Sequence, residues 1–135
     1  MGVIRGVLLT PMSDRPSFPQ HRLDVYRVAV ELAQKAREAA RSVPRGDRSL
    51  ADQMKRSATS TVLLIAEGAN RRSPGDKRQR YSLARGECGE LASVVELAGA
   101  YNVLDNEQVV ELLELAGRTN AMLLRLEQRF GGVTP

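Results

Sequence analysis

The sequence predicts an all-α protein, an antiparallel up-down-up-down four-helix bundle, and three observations carry that expectation. Apolar residues recur at three- and four-residue spacing in four separate segments, the period of one buried helix face. The segments are joined by short Pro, Gly, Ser and Asn runs, which suits antiparallel neighbours in a bundle. The apolar palette is Leu, Val and Ala, with 4% aromatic residues and no Trp, which fits helix-on-helix packing better than a sheet. At 135 residues the chain is one domain by length. The expected division is a flexible lead over 1–20, the bundle over 21–131 and a tail over 132–135.

The lead contains Pro11, Pro16 and Pro19 and no sustained period. Its short apolar patch near the start is too brief to span a membrane, and no signal-peptide cleavage pattern follows. Met12 offers an alternative translation start, which would leave residues 1–11 outside the protein. The first helix is expected over about 22–41, with Leu23, Tyr26, Val30, Ala33 and Ala40 on its stripe and Val25, Ala29, Leu32 and Ala36 beside it. Pro44 and Gly46 then set a turn. The second helix is expected over 50–70, started by Ser49 and Asp52 acting as a capping box. Its seam is Leu50, Met54, Ala58, Thr61 and Ile65, and the run Val62, Leu63, Leu64 implies burial on more than one face.

The clearest helix start is Ser73-Pro74-Gly75-Asp76, with Ser73 as cap, Pro74 at the first helical position and Asp76 at the third. The third helix is expected over 74–101, with a seam of Tyr81, Ala84, Cys88, Leu91, Val95 and Ala98. Gly86, Gly89 and Gly99 each cost about 1 kcal/mol relative to Ala in a helix interior, so close helix approach is expected there. Asp105 or Asn106 caps the fourth helix, expected over 106–130. Its main stripe is Val109, Leu113, Ala116, Leu123 and Phe130, with Leu112, Leu115, Met122 and Leu126 adjacent and Asn120 interrupting it, and Gly131 and Gly132 supply a C-cap.

Several chemistries lack the residues they need. Cys88 is the lone cysteine, which excludes an internal disulfide and a Cys-rich metal site and fits a reducing, cytoplasmic compartment. It occupies a seam position with no His near in sequence, so a core role is favoured over a nucleophile. His21 is the lone histidine, so no His-based metal cluster or Ser/His/Asp triad can form. No catalytic residue, metal or cofactor is therefore expected. Tyr26, Tyr81 and Tyr101 sit at seam spacing and are read as packing residues ahead of base-stacking ones.

Charge is more informative. The formal net charge is +4, and such a surface attracts polyanions. Within 71–85 lie Arg71, Arg72, Lys77, Arg78, Arg80 and Arg85 against the acid Asp76, whereas 87–114 carries Glu87, Glu90, Glu96, Asp105, Glu107, Glu111 and Glu114 with no basic residue. Lys77, Arg78 and Arg80 occupy the first two turns of the third helix, where the macrodipole favours anions. An external phosphate is one reason for such a placement, and a solvated face or an ion pair with a second subunit is the other. The basic set for nucleic acid is Arg71, Arg72, Lys77, Arg78 and Arg80, with Lys55 and Arg56 as weaker members. Glu67, inside the apolar run VLLIAEGA, calls for a partner; Arg71 four residues on and Arg85 across the helix interface are the expected structural ion pair.

Leu23-Asp24-Val25-Tyr26, Leu50-x-x-Gln53-x-x-Arg56-Ser57-Ala58, Ile65-Ala66-Glu67-Gly68, Arg71/Arg72-Ser73, Arg80-Tyr81 and Glu90-Leu91 together resemble the bacterial four-helix-bundle proteins encoded in rRNA intervening sequences. That family includes the accessory variability determinant of diversity-generating retroelements. The resemblance spans about residues 22–130, and Ile-Ala-Glu-Gly with the following Arg/Ser is its most specific part. It implies a ring-like homopentamer and, for the retroelement branch, a basic surface that binds nucleic acid and a reverse transcriptase. The functional expectation is a non-enzymatic oligomeric bundle that binds structured RNA or DNA. The alternative is a structural or adaptor protein that assembles with itself and protein partners.

Overall fold

The computed structural model describes residues 17–131. Among them, four α-helices follow one another: α1 (Asp24–Arg41), α2 (Arg48–Asn70), α3 (Pro74–Ala100) and α4 (Asn106–Arg129). Each packs mainly on two neighbours, α1 and α3 both lying against α2 and α4, with the α2–α3 contact the most extensive. This is an all-α four-helix bundle with short connections. The expected tail, most of the expected lead and the alternative start at Met12 fall outside the described residues. Pro19–Arg22 forms a short 3-10 turn that spans the boundary expected at residue 20.

Helix ends follow their local chemistry where a side chain can cap. Ser73 Oγ accepts the Asp76 N–H at 3.1 Å, and Pro74 opens α3 as expected. Asp105 and Gln108 form a reciprocal box at α4, the Gln108 N–H donating to Asp105 Oδ1 at 2.8 Å and the Asp105 N–H to Gln108 Oε1 at 3.0 Å. Helix α2 departs from expectation. A 3-10 turn over Arg45–Asp47 winds directly into it, Asp47 is the N-cap without a side-chain bond, and Ser49 lies inside the helix. Gly131, at φ +79°, supplies the left-handed residue after α4 that a β-carbon would disfavour.

The core divides into two linked parts. One centres on Leu32, Met54, Cys88, Leu91, Val95 and Leu112; the other, nearer the α2–α3 turn, centres on Val25, Ile65, Tyr81, Ala84 and Leu123. The α3 seam is buried throughout, as its spacing requires. Two stripes are rotated relative to expectation. On α1 the expected Val30 and Ala40 are buried together with Val25, Ala29, Leu32 and Ala36, while Tyr26 and Ala33 are half-buried, because α1 must face α2 and α4 together. On α4 the buried line is Leu112, Leu115, Ala116, Thr119, Leu123 and Leu126, and Asn120 is exposed rather than an interruption of the stripe. Buried hydroxyls are satisfied within their own helices: Ser57 donates to Gln53 O, Thr61 to Ser57 O and Thr119 to Leu115 O, each at 2.8 Å.

Candidate nucleic-acid interface

The α2–α3 turn brings three helix ends together. Since α2 ends there and α4 runs antiparallel to α3, the first turns of α3 lie beside the C-termini of both. Lys77 Nζ donates to Ala69 O at 2.9 Å and Gly68 O at 3.3 Å, carbonyls of the last turn of α2. It also lies 5.8 Å from the Phe130 ring centroid. Arg78 Nη1 donates to Phe130 O at 3.1 Å, just past α4. Cations that oppose the dipole of their own helix therefore sit on the negative ends of two others. Their placement thus has a reason internal to the fold, beside the external phosphate and the solvated or intersubunit face expected from the sequence.

The other basic residues divide in the same way. Arg80 Nε stands 3.7 Å from Glu67 Oε1, an ion pair without a hydrogen bond. Arg56 bonds Gln53, Glu87 and Glu90, joining α2 to α3, and the Glu90 hydrogen bond holds its guanidinium above the usual range despite some desolvation. Lys55 is 3.8 Å from Asp52. Arg71 and Arg72 remain exposed, with no acid or carbonyl partner for their side chains among the described residues.

The expected Glu67–Arg71–Arg85 grouping does not form. The buried face of α2 runs through Thr61, Ile65 and Gly68, so Glu67 points outward, 47% exposed, and meets Arg80. Arg85 instead bonds Glu127 of α4, whose side chain is only 2% exposed. That bond is the main reason the Arg85 guanidinium stays above its ordinary range. Sequence reasoning missed Glu127, although an acid four residues after Leu123, on a stripe that otherwise repeats Leu and Ala, carried the signal.

The 3-10 turn belongs to the same end of the bundle. Asn70 Nδ2 donates to Gln20 Oε1 at 2.7 Å, fixing Pro19–Arg22 against the last turn of α2. Arg22 and Arg129 are exposed on elements that reach the same end of the bundle as Arg71 and Arg72, and neither has an acid partner among the described residues. Arg129 is close enough to act on Tyr81, whose phenol burial pushes up and the Arg129 charge partly lowers.

The lone thiol is held in the core. Cys88 donates its thiol to Ala116 O at 3.3 Å, and burial pushes it up from an ordinary value near 9 to about 11, which keeps it a neutral thiol. Among the described residues no grouping of His, Cys, Asp and Glu is arranged to hold a metal ion, and no helix is long and apolar enough to cross a membrane. On another side, α1 and α2 enclose an open, mostly apolar groove of about 390 Å³ walled by Tyr26, Val30, Ala33, Val62 and Leu63, with Arg37 and Lys55 also on its walls.

A family model described as 23S rRNA-intervening sequence protein matches residues 21–125. Among solved structures, a protein with unknown function from the S23 ribosomal protein family of Bacteroides thetaiotaomicron is similar, with a TM-score of 0.74 at 20% identity. The similarity covers 77% of this chain and 98% of that one. No curated protein matches.

Proposed function

The chain belongs to the 23S rRNA-intervening sequence protein family, and from that premise we propose that it is a non-enzymatic bundle that binds structured RNA or DNA through phosphate contacts at the α2–α3 end. The observation that carries this reading is the state of Arg71 and Arg72. Every other basic residue of that turn has a protein partner, whereas these two are adjacent and exposed, with no side-chain partner among the described residues. Guanidinium groups suit phosphate oxygens, and contacts of this kind position a nucleic acid without reading its sequence.

Anisotropy titrations with RNA and DNA at low and moderate salt test the proposal. Binding should weaken steeply with salt, and the double substitution Arg71→Glu, Arg72→Glu should lower affinity on all sequences and flatten the salt slope by about 2. No binding at low salt, or an unchanged affinity in the double variant, would sink it.

A second reading is a structural or adaptor protein that assembles with itself. It is favoured by Leu63, a large apolar side chain 56% exposed on α2 beside the groove shared with α1. A homopentamer and a reverse-transcriptase partner follow from family resemblance alone. Sedimentation tests the first and co-purification tests the second.

A further inference from the structure

The end of the bundle that carries Arg71 and Arg72 also carries an aromatic ring that the phosphate reading leaves without a role. Phe18 is 53% exposed although it lies in a fixed position. Its N–H donates to His21 Nδ1 at 3.1 Å, and its carbonyl accepts the His21 N–H at 2.9 Å. The His21 ring meets Phe18 edge to face, with centroids 5.8 Å apart, and leans on Tyr26 at 6.0 Å. The Gln20–Asn70 bond then ties this turn to the residue immediately before Arg71 and Arg72. A rigid, open aromatic ring therefore sits on the same end of the bundle as Arg22, Arg71 and Arg72. Of the acids at this end, Asp24 is paired with Arg27 and Glu67 with Arg80, and Asp76 is exposed with no ion-pair partner among the described residues.

We infer that Phe18 is a stacking platform for an unpaired base and that the site it forms with Arg22, Arg71 and Arg72 takes single-stranded nucleic acid in preference to duplex. This rests on the phosphate-binding reading above and narrows it. Cations alone serve any nucleic acid, because every strand carries phosphate. An exposed aromatic ring adds affinity only where a base face is available, and in a duplex those faces are already stacked. For a structured RNA, the inference places the contact at a loop, bulge or end.

The test uses the full chain with labelled oligo(dT) and oligo(U) of about ten nucleotides, and duplexes of equal length, at about 50 mM salt. Wild type should bind the single strands more tightly than the duplexes. Phe18→Ala should weaken single-strand binding by about tenfold and leave duplex binding unchanged. Phe18→Trp should retain the affinity, and because the chain has no other Trp its emission reports on this position alone. Quenching of that emission by the single strands, and not by duplex, supports direct stacking. Equal affinity of wild type and Phe18→Ala for single strands, or an unquenched Trp at saturation, overturns the inference. In that event binding that still falls in the Arg71→Glu, Arg72→Glu variant leaves the phosphate reading standing. A wild-type chain that binds neither form removes both.

Discussion

Gly68 of α2 packs against α3, and a Cβ there would lie 2.6 Å from Tyr81 Cε1. Tyr81 is buried in the core and cannot swing aside. Gly68→Ala should therefore lower stability by about 1–3 kcal/mol, even though Ala is the better helix former. Gly86 and Gly89 have nothing within 4 Å of a would-be Cβ, so alanine at either should raise stability by about 0.5–1 kcal/mol. Urea midpoints of the three variants check both signs. Of the close approaches expected at Gly86, Gly89 and Gly99, the structure has the last alone, with Val109 Cγ2 at 2.9 Å. Small size is visible in a sequence, but the direction a residue faces depends on helix rotation, which the partners set. Cys88 gives a second test at this scale. Its folded value near 11 exceeds the ordinary value near 9, so above pH 9 the unfolded chain releases a proton that the folded one holds. The contribution of Cys88 to stability is thus fully present below pH 9 and falls as pH rises toward 11. Cys88→Ala should remove that part of the alkaline decline in urea titrations.

At the scale of elements, the helix ends divide into those fixed by a side chain and those fixed by neighbours. Ser73-Pro74 and Asp105 were legible because the cap and its target lie three residues apart in the chain. The start of α2 was not, because the 3-10 turn before it supplies continuity where a cap would supply a boundary. Asp105→Ala should cost about 1 kcal/mol, whereas Asp47→Ala, at a cap with no side-chain bond, should change stability by no more than a few tenths. Lys77 and Arg78 belong to the second kind. Their charges looked misplaced while α3 was considered alone, and they are explained only once α2 and α4 end beside it. Lys77→Met should cost about 1 kcal/mol through the lost bonds to Gly68 and Ala69, measured by thermal melting. Arg71→Glu with Arg72→Glu should leave melting almost unchanged and act on nucleic-acid affinity instead. Stability and binding thus separate residues that a sequence groups as one basic cluster.

For the whole molecule, the second buried face expected for α2 is absent among the described residues, where Leu63 is exposed, whereas the four-helix order and the α3 seam could be read from periodicity, since each depends on one helix and its spacing. The Arg85–Glu127 bond and the aromatic turn against Asn70 could not, since each joins positions far apart in the chain. The same distinction governs assembly. The bundle buries one face of α2 through Met54, Ala58 and Ile65, yet Val62 and Leu63 continue round the helix into the groove with α1. An exposed Leu beside an apolar groove has a cost in water that association with a second apolar surface would offset. If that face is an interface between copies, wild type should sediment well above the 14.8 kDa of one chain. Leu63→Glu should then shift it toward that mass while leaving the helical circular dichroism intact, because Leu63 adds little to the core of its own bundle. A monomer at every concentration would leave the groove without an occupant of its own kind. A Leu63→Glu protein that stays assembled would move the interface to the other exposed apolar residues, Leu83 and Leu97 on α3 and Val110 on α4.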